Sequence, residues 1–128
     1  MQFLLGTHAL LWWLADSSKL KATWRGALGD SQSRVVVSAA SIWEIAFESS
    51  MGRLELDLPD DLALSALAES CGFEDMPVSA RHAAAVQELP FHHADPFDRI
   101  LIAQAKLERL TLVSADRAMK AYDIELLR

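Results

Sequence analysis

Glu44, Asp95, Asp98 and Asp116 are the side chains whose placement suggests joint chemistry. The apolar run Val35-Val36-Val37 delivers Ser38, Ser41 and Glu44, and Thr111-Leu112-Val113 delivers Ser114 and Asp116. Asp95 and Asp98 open a segment that leads back to the second of these runs, and an earlier run, Gln2 to Leu5, delivers Gly6, Thr7 and His8. If the runs are parallel strands, all these residues share the rim outside the strands' carboxyl ends, where α/β sheets bind ligands. Carboxylates crowded on one rim repel one another and take up protons unless a cation sits among them. Asp and Glu oxygens, completed by water, suit Mg²⁺ or Mn²⁺. Such a centre activates a water and stabilises the charge that develops on a phosphodiester during in-line displacement.

Each acid also has a purely local role open to it. Ser41-Ile42-Trp43-Glu44 reads as a capping box, with Ser41 as the cap and Glu44 reaching back to its amide. Asp95 fits an N-cap ahead of Pro96, Asp98 suits the positive end of a helix dipole, and Asp116 fits the cap of a short helix. The shared rim, which sheet geometry supplies, is what separates these acids from Asp16, Asp30, Asp57, Asp60 and Asp61, read as caps and surface. His8, His92 and His93 are candidate ligands or bases, but they lack a His-x-x-x-His spacing and read as neutral polar contacts. Trp12, Trp13, Trp24 and Trp43 read as core or interface. Arg99 and Arg117 lie beside the acids, and Lys19, Lys21 and Arg25 follow the first helix; each reads as surface charge or, collectively, as a groove that grips phosphate.

The elements that must position these groups alternate along the chain. Gln2 to Leu5 is too short for a helix and reads as a buried strand, and His8 to Leu14 as a helix apolar on nearly every side. Asp16-Ser17-Ser18 ends that helix. Arg34 to Val37 is β-branched, as in a strand covered on both faces. Ile42, Ile45, Ala46 and Ser49 then mark a helix that Gly52 stops, and Leu64, Leu67, Ala68 and Cys71 mark another, introduced by Pro59-Asp60-Asp61. Phe73 to Val78 reads as a strand. Ser79 to Gln87 reads as a helix whose Ala80, Ala83 and Ala84 admit a close neighbour. A helix from Asp95-Pro96 to about Arg109, a strand from Thr111 to Ser114, a short helix from Asp116 to Tyr122 and a strand from Ile124 to Leu127 complete the chain. The alternation predicts an α/β fold: one domain over residues 1–128, a central, mostly parallel sheet flanked by helices in a three-layer sandwich.

Composition narrows the function. The 128 residues carry 12 Lys or Arg against 18 Asp or Glu, a net charge of −6, so bulk attraction to nucleic acid is excluded and phosphate contact must be local or metal-mediated. With 52% hydrophobic and 23% charged residues the chain is core-forming rather than disordered. Cys71 is the only cysteine, which excludes an intrachain disulfide and fits a reducing compartment, with Cys71 as a buried, inert thiol. The apolar stretch from Phe3 to Ala15 contains His8, lacks a basic leader and falls short of the roughly 20 residues of a spanning helix. The expectation is a cytoplasmic protein without a membrane segment.

Four strings, LLGTHALLWWLADSSKL, VVVSAASIWEIAFE, HHADPFDRILIAQA and LTLVSADRAM, resemble in order and spacing the VapC-type toxins of bacterial toxin–antitoxin pairs, which have the PIN-domain ribonuclease fold. The resemblance spans almost the whole chain. It implies a Mg²⁺- or Mn²⁺-dependent endoribonuclease with Glu44, Asp98 and Asp116 as its catalytic acids. Asp95, in the same DPFDR motif, joins them as a metal ligand, and Thr7 and Ser114 support the centre; Arg99 and Arg117 are candidates for substrate contact only through their position beside the acids. It also implies a homodimer held inactive by a cognate VapB-like antitoxin whose C-terminal segment covers the active-site groove. Ile42 and Trp43, with the Leu11 to Trp13 face, are candidates to receive an apolar antitoxin helix.

Position 6 departs from the family pattern. Leu-Leu-Asp-Thr-His is expected at the end of the first strand, and here Gly6 stands in place of the Asp, removing one of four carboxylates. A mispositioned group in such a site lowers rates by ~10²-fold. Two functions are therefore carried forward: a ribonuclease toxin impaired by Gly6, and a catalytically inactive PIN-like module that binds an antitoxin or RNA without cleavage. A phosphoacceptor receiver domain is excluded, because the strand at Thr111 to Val113 is followed by Ser114 and Asp116 rather than by a Lys.

Overall fold

A computed structural model describes residues 1–56, 58 and 62–128. Its strands are β1 (Gln2–Leu5), β2 (Arg34–Ser38), β3 (Glu74–Met76), β4 (Thr111–Val113) and β5 (Leu126–Leu127). They form one sheet in the order β3-β2-β1-β4-β5, and each neighbouring pair is parallel. The helices are α1 (Thr7–Leu14), α2 (Ala22–Gly29), α3 (Ala39–Ser50), α4 (Leu67–Ser70), α5 (Ala80–Ala85) and α6 (Pro96–Glu108). Single 3₁₀ turns occupy Leu64–Ala66, Val86–Glu88 and Arg117–Ala121.

Strand side chains alternate between two cores, as a pleated strand requires. Phe3, Leu5, Val35, Val37 and Val113 pack on one face with Ala9 and Leu10 of α1, Trp24 and Leu28 of α2, Ile45 of α3 and Leu67 of α4. Leu4, Val36 and Leu112 pack on the other with Leu101, Ile102 and Ala105 of α6, Met119 and Tyr122. Helices thus cover both faces, and the continuous apolar run of β2 follows from that double burial. The chain runs outward from β1 through β2 to β3, then crosses back to β4 on the opposite side of β1. The order therefore reverses between β1 and β4, which opens a crevice at their carboxyl ends.

Several expectations change in the structure. α2 carries no sequence signal strong enough to announce it: Gly26 lies inside it, and only Trp24 and Leu28 are buried. Burial of those two outweighs the glycine's helix cost of roughly 1 kcal/mol. In α5, Ala80, Ala83 and Ala84 face solvent, and His82 is the buried residue. Its ring closes a capping box with Ser79 and reaches Glu108 of α6 at 2.8 Å. Cys71 is half-buried rather than buried, and that burial pushes its thiol pKa up. The strands expected over Phe73–Val78 and Ile124–Leu127 contract to β3 and β5, and the helix expected over Leu64–Cys71 is a 3₁₀ turn followed by one turn of α4. Asp57, Pro59, Asp60 and Asp61 lie outside the described residues. Among the described residues no helix is long and apolar enough to cross a membrane.

Candidate active site

The crevice between β1 and β4 holds a cavity of about 380 Å³ whose lining includes Gly6, Thr7, Glu44, Asp95, Asp98, Ser114 and Asp116, together with His8, Trp12, Lys19 and Trp24. All four candidate acids therefore share one cavity, although up to 72 residues (116 − 44) separate them in sequence.

The capping box expected at Ser41 does not form. Ser38 caps α3 by accepting from the Ala40 amide at 3.0 Å, which places Ser41 and Glu44 inside the helix. Three residues apart, they fall on one face. Both meet Thr7 at the start of α1: Thr7 Oγ1 donates to Glu44 Oε1 at 2.6 Å and meets Ser41 Oγ at 3.2 Å. The carboxylate of Glu44 is thereby tied to the start of α1 and lines the crevice rather than turning back to its own helix.

Asp95 does cap its helix. Its Oδ1 accepts from the amides of Phe97 at 2.8 Å and Asp98 at 3.3 Å, with Pro96 at the first helical position. The local role and the cavity-lining one coexist, because a carboxylate offers a second oxygen. Asp116 behaves alike: Oδ1 caps the turn at Ala118 (3.0 Å), while Ser114 Oγ accepts from the Asp116 amide at 3.1 Å. Asp98 makes no capping bond and is the most perturbed acid. Burial first, then the carboxylates of Asp95 and Glu44, push its pKa up to about 6 against the partial relief of His93.

His93, read from sequence as a neutral contact, lies between two of the acids. Its Nε2 is 2.8 Å from Asp98 Oδ2 and 3.1 Å from Asp116 Oδ2, and one donor atom from each of the three lies within 4.8 Å of the others. No spacing signal marks it, since the loop that carries it is held by Tyr122, 29 residues away, and by Arg99. Expected to contact substrate, Arg99 is instead buried, and its guanidinium donates to the carbonyls of Val86 (3.1 Å), Pro90 (3.0 Å) and His93 (3.3 Å) and to Tyr122 Oη (3.3 Å). It serves as a staple for the segment before α6. Arg117 is exposed at the rim and pairs with no acid among the described residues, while Arg25 pairs with Asp16 and Lys21 lies over the Trp24 ring.

Gly6 is placed by backbone packing. Its amide donates to the Val113 carbonyl at 2.9 Å, and a Cβ at position 6 would stand 2.8 Å from that same oxygen. The strand ends approach here more closely than a side chain permits.

A parallel sheet with an acidic crevice at its switch point defines a class of α/β proteins, and the PIN domain family model matches residues 3–125 of this sequence. The chain belongs to the PIN domain family. Among solved structures it is similar to a VapBC2 complex from Rickettsia felis bound to a promoter DNA fragment, at 16% identity and a TM-score of 0.71, covering 99% of this chain and 98% of the other. A toxin–antitoxin complex from Klebsiella pneumoniae matches at 16% identity and a TM-score of 0.64, covering 98% and 95%. FitAcB from Neisseria gonorrhoeae matches at 17% and 0.64, covering 98% and 96%. No curated protein matches it in sequence.

Proposed function

We propose that this chain is the toxin of a toxin–antitoxin pair, a Mg²⁺- or Mn²⁺-dependent endoribonuclease whose turnover is lowered by Gly6. The observation that carries this reading is the meeting of Glu44, Asp95, Asp98 and Asp116 in one cavity, with Asp98 held up to about 6 by burial and its acidic neighbours. Such a donor set suits a divalent cation, and Glu44, Asp98 and Asp116 would hold it with the free oxygen of Asp95. When bound, the cation supplies water activation and charge stabilisation for phosphodiester hydrolysis. Thr7 then keeps Glu44 in place, Ser114 orients Asp116, and Arg117 at the rim and Lys19 in the cavity lining are cations placed to meet a phosphate.

The partners follow from the same reading. The similar structures are toxin–antitoxin complexes, and this chain has an apolar groove lined by Leu11, Trp12, Leu54, Leu56 and Leu58 that suits an antitoxin helix. Trp43 and Phe47 on α3 and Met51 just past its end, spaced four apart and exposed, offer a face for a second copy in a homodimer. The cytoplasm, where RNA is met, is the expected compartment.

A second reading, a module that binds antitoxin or RNA without cleavage, is favoured by two observations. Gly6 offers no ligand, and the His93 ring bridges two of the acids. Cleavage of a panel of RNAs with Mg²⁺ or Mn²⁺, by this chain and by its Gly6→Asp variant, separates the two. Chelator-sensitive cutting that rises in the variant supports the toxin; no cutting by either folded, metal-bound protein supports the binding module.

A further inference from the structure

We infer that His93 is itself a metal ligand of this centre, and that its ring nitrogen biases the centre toward a first-row transition ion such as Mn²⁺ or Co²⁺ over Mg²⁺. This rests on the reading of the acid cluster as a metal centre and adds to it the donor that sets metal preference. Three observations carry it.

Spacing is the first. Ligands held at about 2.1 Å from an octahedral ion stand about 3 Å apart along each edge. His93 Nε2 lies 2.8 Å and 3.1 Å from the nearest oxygens of Asp98 and Asp116. Nε2 thus already stands from each oxygen at the separation that neighbouring ligands adopt, and the three donor atoms lie within 4.8 Å of one another.

The second is the way the ring is mounted. Tyr122 Oη accepts from the amides of both His92 (3.1 Å) and His93 (2.8 Å), while Arg99 holds the His93 carbonyl. Arg99 also donates to Tyr122 Oη, so both backbone groups of His93 are fixed by side chains that meet each other. A residue whose backbone is held this way loses less freedom on binding.

The third is the chemistry of the donor that the fold brings to the acids. Imidazole is a softer donor than carboxylate and favours transition ions, whereas Mg²⁺ keeps to oxygen.

Placed between the acids, His93 has one other possible role, that of a plug that neutralises them and competes with the ion. The two roles predict opposite signs. Calorimetric titration with Mn²⁺ and Mg²⁺, together with ¹⁴N electron spin-echo modulation on bound Mn²⁺, reads them on the intact chain and on His93→Gln. The wild type is expected to show nitrogen coupling to Mn²⁺. His93→Gln should lose it, binding Mn²⁺ at least ~10-fold more weakly while Mg²⁺ affinity changes less than about threefold. Mn²⁺ bound without nitrogen coupling, coupling that persists in His93→Gln through another histidine, or tighter Mn²⁺ binding by that variant would overturn the assignment while leaving the metal centre standing. A wild type that binds neither ion at millimolar concentration overturns the metal centre and the assignment together.

Discussion

The Gly6 amide donates to the Val113 carbonyl at 2.9 Å, and that same oxygen stands 2.8 Å from where a Cβ at position 6 would be. The bond closes the gap between β1 and β4 at the mouth of the acidic cavity, so the residue that lacks a carboxylate also sets the approach of the two strand ends. Gly6→Ala should therefore cost ~1–3 kcal/mol, because the atom that must yield is backbone. Gly6→Asp should lose at least as much without divalent ions and recover stability when Mn²⁺ is added. Urea denaturation with and without Mn²⁺ measures both; an Ala variant as stable as the wild type would mean that the strand ends part freely.

Thr7 joins α1 to the face of α3 that carries Ser41 and Glu44. Thr7→Val keeps the shape but removes the donor, and should cost about 1.5–3 kcal/mol, the range for a hydrogen bond to a charged group. Divalent-ion affinity should fall with it, since Glu44 is released, whereas Thr7→Ser should retain most of both. Equal ion affinity in Thr7→Val would detach Glu44 from the centre.

Asp98 has a folded pKa of about 6, above the ordinary 3.8, with burial as the leading cause. Between those values the folded protein binds more protons than the unfolded one, so this group's contribution to stability is full below about pH 4 and is lost as pH rises through about 6. Relative to Asp98→Asn, the metal-free wild type should gain stability on acidification from pH 7 to pH 4.5. Thermal melts of the pair across that range test the sign, and saturating Mn²⁺ should remove the wild type's loss near neutral pH.

Arg99 is a buried cation whose partners are carbonyls, the Tyr122 hydroxyl and the face of Phe91, with no carboxylate paired to it among the described residues. Arg99→Met should cost about 3 kcal/mol, because several carbonyls lose a charged donor at once. Limited proteolysis should then cut between Val86 and His93 faster than in the wild type. An unchanged cleavage rate would show that the segment holds itself.

Much of this architecture is legible in the chain because its causes are local. The β-branched run at Val35 to Val37, the i, i+3, i+4 stripe from Ile42 to Ser49 and the Asp95-Pro96 cap each express a short-range rule, and each element forms near the expected place. The sequence also identified Glu44, Asp95, Asp98 and Asp116 as one group, since alternating strands and helices send their connecting ends to one rim. The family pattern exposed Gly6.

Tertiary structure decided how those residues are used. Ser38 displaced Ser41 as the cap because β2 runs directly into α3, and that shift of three residues sent Ser41 and Glu44 to Thr7 instead of to their own backbone. Arg99 turned away from the rim because carbonyls of an irregular segment left it several acceptors in the interior. His93 came between Asp98 and Asp116 because Tyr122 and Arg99, distant or on another element, hold its backbone there. Periodicity and capping act over a few residues and can be read along the chain, whereas the position of a loop side chain depends on partners that only the packed fold brings within a few ångströms.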